Sequence, residues 1–324
     1  MESKLISIII PTYNRSEILA HVSVPSVINQ AYKNWELIIV DDGSTDNTKN
    51  VCEELTRKDA RIKYFYKENG GQGSARNFGI EKAQGNYVLL LDSDDALLSE
   101  MISIMLPKLI SEGGDIIKCR KWDFHYQKRI YNVGGDNPSC AIYHKKLFKT
   151  LGFYNENRGL IGIEDADLDM TWHLYKIKNS YQIKCIILDR SLVIYLNHDD
   201  QATSDKQLLR KKQMMQVLVD KYAGNSLICL GPMYGQLGNL KILLGDLSGR
   251  DDIKKSLNSK FNITAMTYLC LSYLGVGIYK FLLPILKTMC NNFLGKIKVL
   301  KMRLRCNKYF SEAVEISRSY EDWL

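Results

Sequence analysis

The stretch LLLDSDDALL, residues 89–98, ends an apolar run on three carboxylates, Asp92, Asp94 and Asp95. Like charges this close repel, so the cluster either awaits a cation or is an ordinary polar turn. Side chains two positions apart on an extended segment point to the same side, which lets Asp92 and Asp94 face one ligand. A divalent cation would relieve their repulsion. Oxygen donors of this kind suit Mg2+ or Mn2+, ions that are usually completed by phosphate oxygens rather than caged by protein. The competing reading is a helix cap, with Asp95 or Ser93 capping a helix that starts near Leu97 or Ser99. A DxD triplet alone is common by chance, so its setting decides.

Three other polar stretches carry comparable chemistry. In VDDGSTD, residues 40–46, Ser44 or Thr45 can cap the next helix, and a carboxylate of Asp41 or Asp42 can accept a hydrogen bond from a base N–H or a ribose hydroxyl. NGGQGSARN, residues 69–77, is a glycine-rich loop that leads into a helix N-terminus, where phosphate is stabilised. It adds the charge of Arg76 and the amide of Asn77, but matches the spacing of neither a P-loop nor a dinucleotide fingerprint. IEDADLD, residues 163–169, sets Glu164, Asp165, Asp167 and Asp169 at the start of a helical pattern. The helix dipole favours acids there by roughly 0.3–1 kcal/mol, which explains acids in general but not a particular one.

Strands must hold these residues in place. LISIIIP (5–11), WELIIVDD (35–42), RIKYFYK (61–67) and NYVLLLDSDD (86–95) are short β-branched or aromatic runs. Their near-continuous apolar character predicts parallel strands buried on both faces. Residues 18–30, 48–58 and 74–83 have helical spacing, and the alternation predicts a doubly wound, mostly parallel open sheet flanked by helices. Ligands of such sheets bind outside the carboxyl ends of the strands. The polar ends PTYN, DDGSTD, KENGGQGSARN and DSDD would therefore share one edge.

From about Gly113 to Ser204 the pattern is mixed. DIIKCRKWDF reads as a strand, HKKLFKTLG as a short helix ending on Gly152, and IEDADLDMTWHLYK as an amphipathic helix. IKCIILDRSLVIYLNH reads as one or two strands, and a charged helix over 205–223 closes the unit. The rings of RKWDFHYQKR, Trp122 among them, suit sheet-core packing better than acceptor contact.

The 324 residues suffice for one large domain or two ordinary ones, and 45% hydrophobic with 25% charged residues excludes a disordered chain. A net charge of +8 favours anionic partners without choosing among them. Eight scattered cysteines without a CxxC pair indicate neither a zinc nor a redox motif and fit a reducing compartment. The opening MESKLISIIIPTYN is too short an apolar run for a secretory signal, so a cytoplasmic location is expected. Residues 263–279 carry no charge but are at the lower edge of spanning length. Lys296, Lys298, Lys301, Arg303 and Arg305 alternate with apolar residues, as a helix lying on an anionic membrane would. The plainer alternative is a helical extension packed on the rest of the chain.

SIIIPTYNR, ELIIVDDGSTDNT, NGGQGSARNFGI, YVLLLDSDD and GIEDADL follow one another at spacings that closely resemble glycosyltransferase family 2, over roughly residues 5–204. The resemblance implies a GT-A fold, an inverting transfer, a nucleotide-activated donor (usually UDP-linked) and Mn2+ or Mg2+. It divides the chain into a nucleotide-sugar half (1–112), an acceptor half (113–223) and a C-terminal helical region (224–324). By the same resemblance, Pro11, Thr12, Tyr13 and Asn14 line the nucleotide, Asp42 meets the base, and Arg76 approaches the uridine or diphosphate. Asp92 and Ser93 lie near the ribose, and Asp94 binds the metal. Asp165 matches the general base, Glu164 positions the acceptor, and His198 adds a metal or diphosphate contact. His21, His125, His144 and His173 have no such context.

An inverting transfer needs one base and one charge-stabilising site, and no covalent nucleophile. The expected partners are a nucleotide-sugar, a glycan or lipid-linked glycan acceptor and an anionic membrane surface; nothing points to nucleic acid. The competing readings are a nucleotidyltransferase acting on sugar phosphates, which lacks its basic glycine-rich signature here, and a non-catalytic nucleotide-sugar-binding subunit.

Overall fold

The apolar runs leave their backbone groups no water to bond, so those groups must pair with one another. The computed structural model describes residues 4–125, 130–134, 138–157, 164–197, 205–223, 231–244 and 246–259. Its first half alternates β1 (Ile6–Thr12), α1 (Ser16–Ile18), a π-helical stretch Leu19–Ser23, α2 (Val24–Ile28), β2 (Trp35–Asp41), α3 (Thr48–Lys58) and β3 (Ile62–Tyr66). Then come α4 (Gln72–Lys82), β4 (Tyr87–Leu90), β5 (Asp95–Leu97) and α5 (Met101–Ser111). The second half holds β6 (Ile116–His125), β7 (Ile130–Gly134), β8 (Ala141–His144), α6 (Lys146–Leu151), α7 (Glu164–Asn179), β9 (Cys185–Asn197) and α8 (Asp205–Tyr222). Helices α9 (Gly231–Leu243) and α10 (Gly249–Ser259) follow.

One sheet runs through the molecule in the order β3-β2-β1-β4-β8-β6-β9-β5, with β7 beside β6. The first four strands are parallel, as their two-faced apolar runs predict. Ile8, Ile10, Leu37, Ile39 and Leu89 bury into one layer. Ile9, Ile38, Val40, Val88 and Leu90 bury into the other. Beyond β4 the sheet turns mixed: β4–β8, β8–β6 and β9–β5 are antiparallel, and β6–β9 is parallel. The segment IKCIILDRSLVIYLNH, read as one or two strands, holds the single 13-residue strand β9, whose register against β6 shifts around Arg120. Trp122 is buried in the sheet, as its apolar ring favours.

Two local expectations are corrected. Residues 95–97 do not lead into a helix cap, because their backbone finds the β9 edge instead, pairing Asp95 with Tyr195. The acids Asp92 and Asp94 thus form the turn between β4 and β5, and α5 starts later, after Glu100. Neither Ser44 nor Thr45 caps α3. The Asp46 carboxylate does that work, accepting from the Thr48 N–H (3.0 Å) and hydroxyl (2.6 Å).

Helix α4 sits unusually close to the sheet. A Cβ on Gly79 would lie 2.4 Å from Ile9 Cγ2, so only glycine permits this approach. Helix α7 is tied to α8 through buried Asp167, which accepts from Lys221 Nζ (2.5 Å) and the Tyr222 hydroxyl (2.7 Å). Of the cysteines in the described residues, Cys52, Cys119 and Cys140 are buried and Cys185 is exposed, all as free thiols. No helix among the described residues is long and apolar enough to cross a membrane. The basic segment 296–305 and the uncharged run 263–279 lie outside the described residues.

Candidate active site

A cleft of about 460 Å³ opens where the parallel strands end. Pro11, Thr12 and Tyr13 line it from the end of β1, and Asp42 from the end of β2. The β4–β5 turn adds Asp92, Ser93 and Asp94, and Arg15 and Gln72 complete that side. Tyr195 closes it from β9, so both halves of the sheet contribute. The volume is that of a small-molecule site. The Tyr13 ring is 49% exposed, while the Thr12 hydroxyl is buried with no hydrogen-bond partner among the described residues. A buried hydroxyl left unbonded costs free energy that a polar ligand can recover.

Asn14 is placed next to the cleft without lining it. In a left-handed conformation (φ 52°), it accepts from the Thr45 N–H at 2.8 Å and donates its own N–H to Ser44 Oγ at 2.9 Å. It therefore clamps the DGST loop against β1. Asp42 is buried and accepts from Lys67 Nζ (2.8 Å) and from the N–H groups of Gly70 (2.9 Å) and Gly71 (2.7 Å). The glycine loop thus spends two amides on Asp42, where the sequence placed a phosphate cradle. Gly71, at φ +89°, makes the turn into α4 that this requires.

Arg76, expected to approach the uridine or diphosphate, is bonded to two carboxylates. It lies 1% exposed behind the cleft wall and is not among the residues that line it. Its Nη2 donates to Asp92 Oδ1 at 2.7 Å and its Nη1 to Asp165 Oδ1 at 2.7 Å. Gln72 Nε2 also donates to Asp92 Oδ1, at 2.8 Å. The two flanking polar residues of SARN tie α4 to the segment after α6: Asn77 exchanges hydrogen bonds with Tyr154 N and O, both at 2.9 Å. Asn77 and Ser74 also donate to Glu156, at 2.8 and 2.9 Å. Nothing in the spacing of GFYNEN marked Tyr154 or Glu156, because their partners are about 80 residues away in the chain.

Asp165 stands on the first turn of α7, its side chain 43% exposed at the floor of a second cavity of about 220 Å³. Tyr143, Tyr154 and Trp172 wall that cavity, with Lys118 and Asp169 at its rim. Crowding by these walls raises the Asp165 carboxyl above the ordinary range; the Arg76 charge opposes this and the Asp92 charge adds to it. The Tyr154 hydroxyl also bonds Asp165, and burial holds that phenol well above its usual pKa. Glu164, expected to meet the acceptor, is 3% exposed with its Cβ facing Gly73 of α4, and lines neither cavity. Asp95, between the two regions, is fully buried; burial first, and then Asp92 and Asp94, push its carboxyl well up.

Asp94, the acid expected to bind the metal, lines the cleft with Asp42 and Asp92, and its carboxylate lies 3.8 Å from Arg15 Nη1. No cluster of three or more His, Cys, Asp or Glu among the described residues could cage an ion. One hard carboxylate on an open cleft fits a cation that a ligand's phosphates complete. His198 lies outside the described residues.

Residues 7–129 match the family model described as Glycosyl transferase family 2. The chain is 42% identical over 105 residues to the GalNAc(5)-diNAcBac-PP-undecaprenol beta-1,3-glucosyltransferase of Campylobacter jejuni, covering 32% of this chain and 34% of that one. The chain spans about a third of the length of the curated relatives it matches. Among solved structures, Staphylococcus aureus TarS 1–349 in complex with UDP-GlcNAc superposes with a TM-score of 0.52 at 17% identity, over 81% of this chain and 91% of that one. A mannosyltransferase from Pyrobaculum calidifontis, in complex with GDP-Man and Mn2+, gives a TM-score of 0.52 at 14% identity, over 96% and 86%. At these identities the likeness is one of fold, the GT-A arrangement.

Proposed function

We propose, from the match of residues 7–129 to glycosyl transferase family 2, an inverting transfer of a hexosyl or N-acetylhexosaminyl group from a UDP-sugar to a hydroxyl of a glycan or lipid-linked glycan. The observation that carries this reading is the Asp92–Arg76–Asp165 bridge, which ties an acid of the donor-sized cleft to a recessed acid on the second cavity. The donor class is supported by the UDP-GlcNAc complex of TarS, and the lipid-linked acceptor by the name of the Campylobacter relative.

The donor's base and ribose occupy the cleft, with Tyr13 offering a ring face and Thr12 an unbonded hydroxyl. Asp42 is already held by three donors, so it accepts a base N–H from a fixed position and pays little further ordering entropy. The acceptor enters on the Asp165 side, where aromatic walls give a sugar ring apolar contact. Asp165 takes the proton of the acceptor hydroxyl as its oxygen attacks the anomeric carbon opposite the leaving diphosphate. The new C–O bond forms as the old one breaks, the electron pair leaves on the diphosphate oxygen, and the configuration inverts. A raised carboxyl suits this role, because a base is most effective when its pKa approaches the working pH. Asp94, with His198 as the second candidate, would hold Mn2+ or Mg2+. When bound, such an ion stabilises the charge that develops on the diphosphate. Glu164, packed behind Asp165, serves the acceptor by fixing the start of α7.

The basic tail supports a location at the cytoplasmic face of a membrane, with anionic lipid as partner. Truncation before residue 261 should then abolish flotation with anionic liposomes. The transfer itself is tested with a panel of nucleotide-sugars in the presence of Mn2+ or Mg2+, scoring UDP release and the anomeric configuration of the product by NMR. A product of retained configuration would refute the single-base mechanism, and pyrophosphate release would replace it with nucleotidyl transfer.

A further inference from the structure

The Arg76 guanidinium touches one acid from each cavity, and it is buried behind the cleft wall, outside the lining of either cavity. Its place is fixed from three sides. Gly79 seats α4 on Ile9, Ser74 and Asn77 tie the helix to residues 154–156, and the Tyr154 ring lies 5.3 Å from the guanidinium carbon. Its Nε has no hydrogen-bond partner among the described residues, so its hydrogen bonds there come from the two outer nitrogens. A planar fork bonded to two separate carboxylates sets both of their directions, which a lysine point charge cannot do. Resting on the reading of Asp165 as the base, we infer that Arg76 is a positioning residue: it acts through Asp165, holding that carboxylate in line with the wall it shares with Asp92, and does not ligate the diphosphate.

The charges around Asp165 make this testable. It faces Arg76 from α4, Asp92 from the β4–β5 turn, Tyr154 from the segment after α6, Tyr143 from β8, Lys118 from β6 and Asp169 one turn along its own helix. Arg76 favours its ionised form and Asp92 opposes it, so removing one or the other must move its titration in opposite directions. The full chain, labelled with 13C at the aspartate carboxyl carbons, is titrated as wild type, Arg76→Gln and Asp92→Asn, with the Asp165 signal assigned through Asp165→Asn. The Asp165 midpoint rises by about half a pH unit or more in Arg76→Gln and falls in Asp92→Asn.

A second measurement separates positioning from nucleotide binding. In Arg76→Lys the Kd for UDP with Mn2+ stays within about threefold of wild type, while kcat with a donor found in the panel falls about tenfold or more. A UDP Kd weakened about tenfold or more, with an unmoved Asp165 midpoint, overturns the inference and returns Arg76 to the nucleotide. If Arg76→Gln does not fold, Asp92→Asn decides alone: an Asp165 midpoint that rises or stays put overturns the inference. Neither the titration nor UDP binding needs turnover. Failure of the wild type to transfer any sugar therefore counts against the proposed function and leaves these two readouts to judge Arg76.

Discussion

A carboxylate site flanks each end of the sheet, a buried one at Glu36 and a half-buried one at Asp165, and the two are tuned in opposite directions. At the amino-terminal end Glu36 is buried opposite Ser7 on the neighbouring strand. It accepts from Ser7 Oγ (2.6 Å), Lys63 Nζ (2.7 Å) and the Gln84 N–H (2.6 Å). Burial alone would raise its carboxyl, but the bonds from Lys63, Ser7 and Gln84 outweigh it and leave the group below its ordinary value. At the carboxyl end Asp165 shares the Arg76 charge with Asp92, and there burial wins. The balance between desolvation and the supply of donors sets the sign.

Substitutions at the two ends should therefore fail in different ways. The largest effect is expected for Asp165→Asn, which should lower transfer about 10²- to 10⁴-fold while the fold survives; full activity in this variant would remove Asp165 as the base. Glu36→Ala should do the reverse, costing about 2–3 kcal/mol of stability through stranded donors. Its melting temperature should drop by several degrees with the activity of the folded fraction unchanged, and lost activity without lost stability would collapse the comparison. Acid should separate the ends again. Glu36, lowered in the fold, contributes stability that is present above its unfolded pKa and is lost only as pH falls through its lower folded value. Asp165, raised in the fold, loses its ionised form first as pH falls from neutral, so activity should disappear before cooperative unfolding begins. Parallel rate and circular-dichroism titrations would show whether the two coincide. The smallest effect concerns stability: an ionised group raised by burial destabilises the fold at neutral pH, so Asp165→Asn should melt about 1–3 °C higher than wild type.

Much of the nucleotide side was legible because its strands are buried on both faces. Runs such as SIIIP and ELIIV can be little else, and the polar residue that follows each run must then fall on one edge. The acceptor side was less legible. Its antiparallel pairings with β4 and β9 depend on which edges remained free after the first four strands had assembled, and short strands such as β5 show no period to read. That is why a helix cap at Ser93 or Asp95 remained an alternative reading, and why Tyr154 and Glu156 went unnoticed.

The sequence by itself determined which acids can do chemistry and that Asp42, Asp92 and Asp94 follow strands of one parallel sheet, β2 and β4 on either side of β1, because chain order and apolar runs dictate that much. Tertiary structure alone decided how they are used. Asp92 and Asp165 meet on Arg76 from positions 16 and 89 residues away, and Glu164 turns from the opening to face Gly73. No spacing encodes those outcomes. The rotation of α4 about its axis is fixed by Gly79 against Ile9, and that packing brings the guanidinium to Asp92 and Asp165 behind the cleft wall.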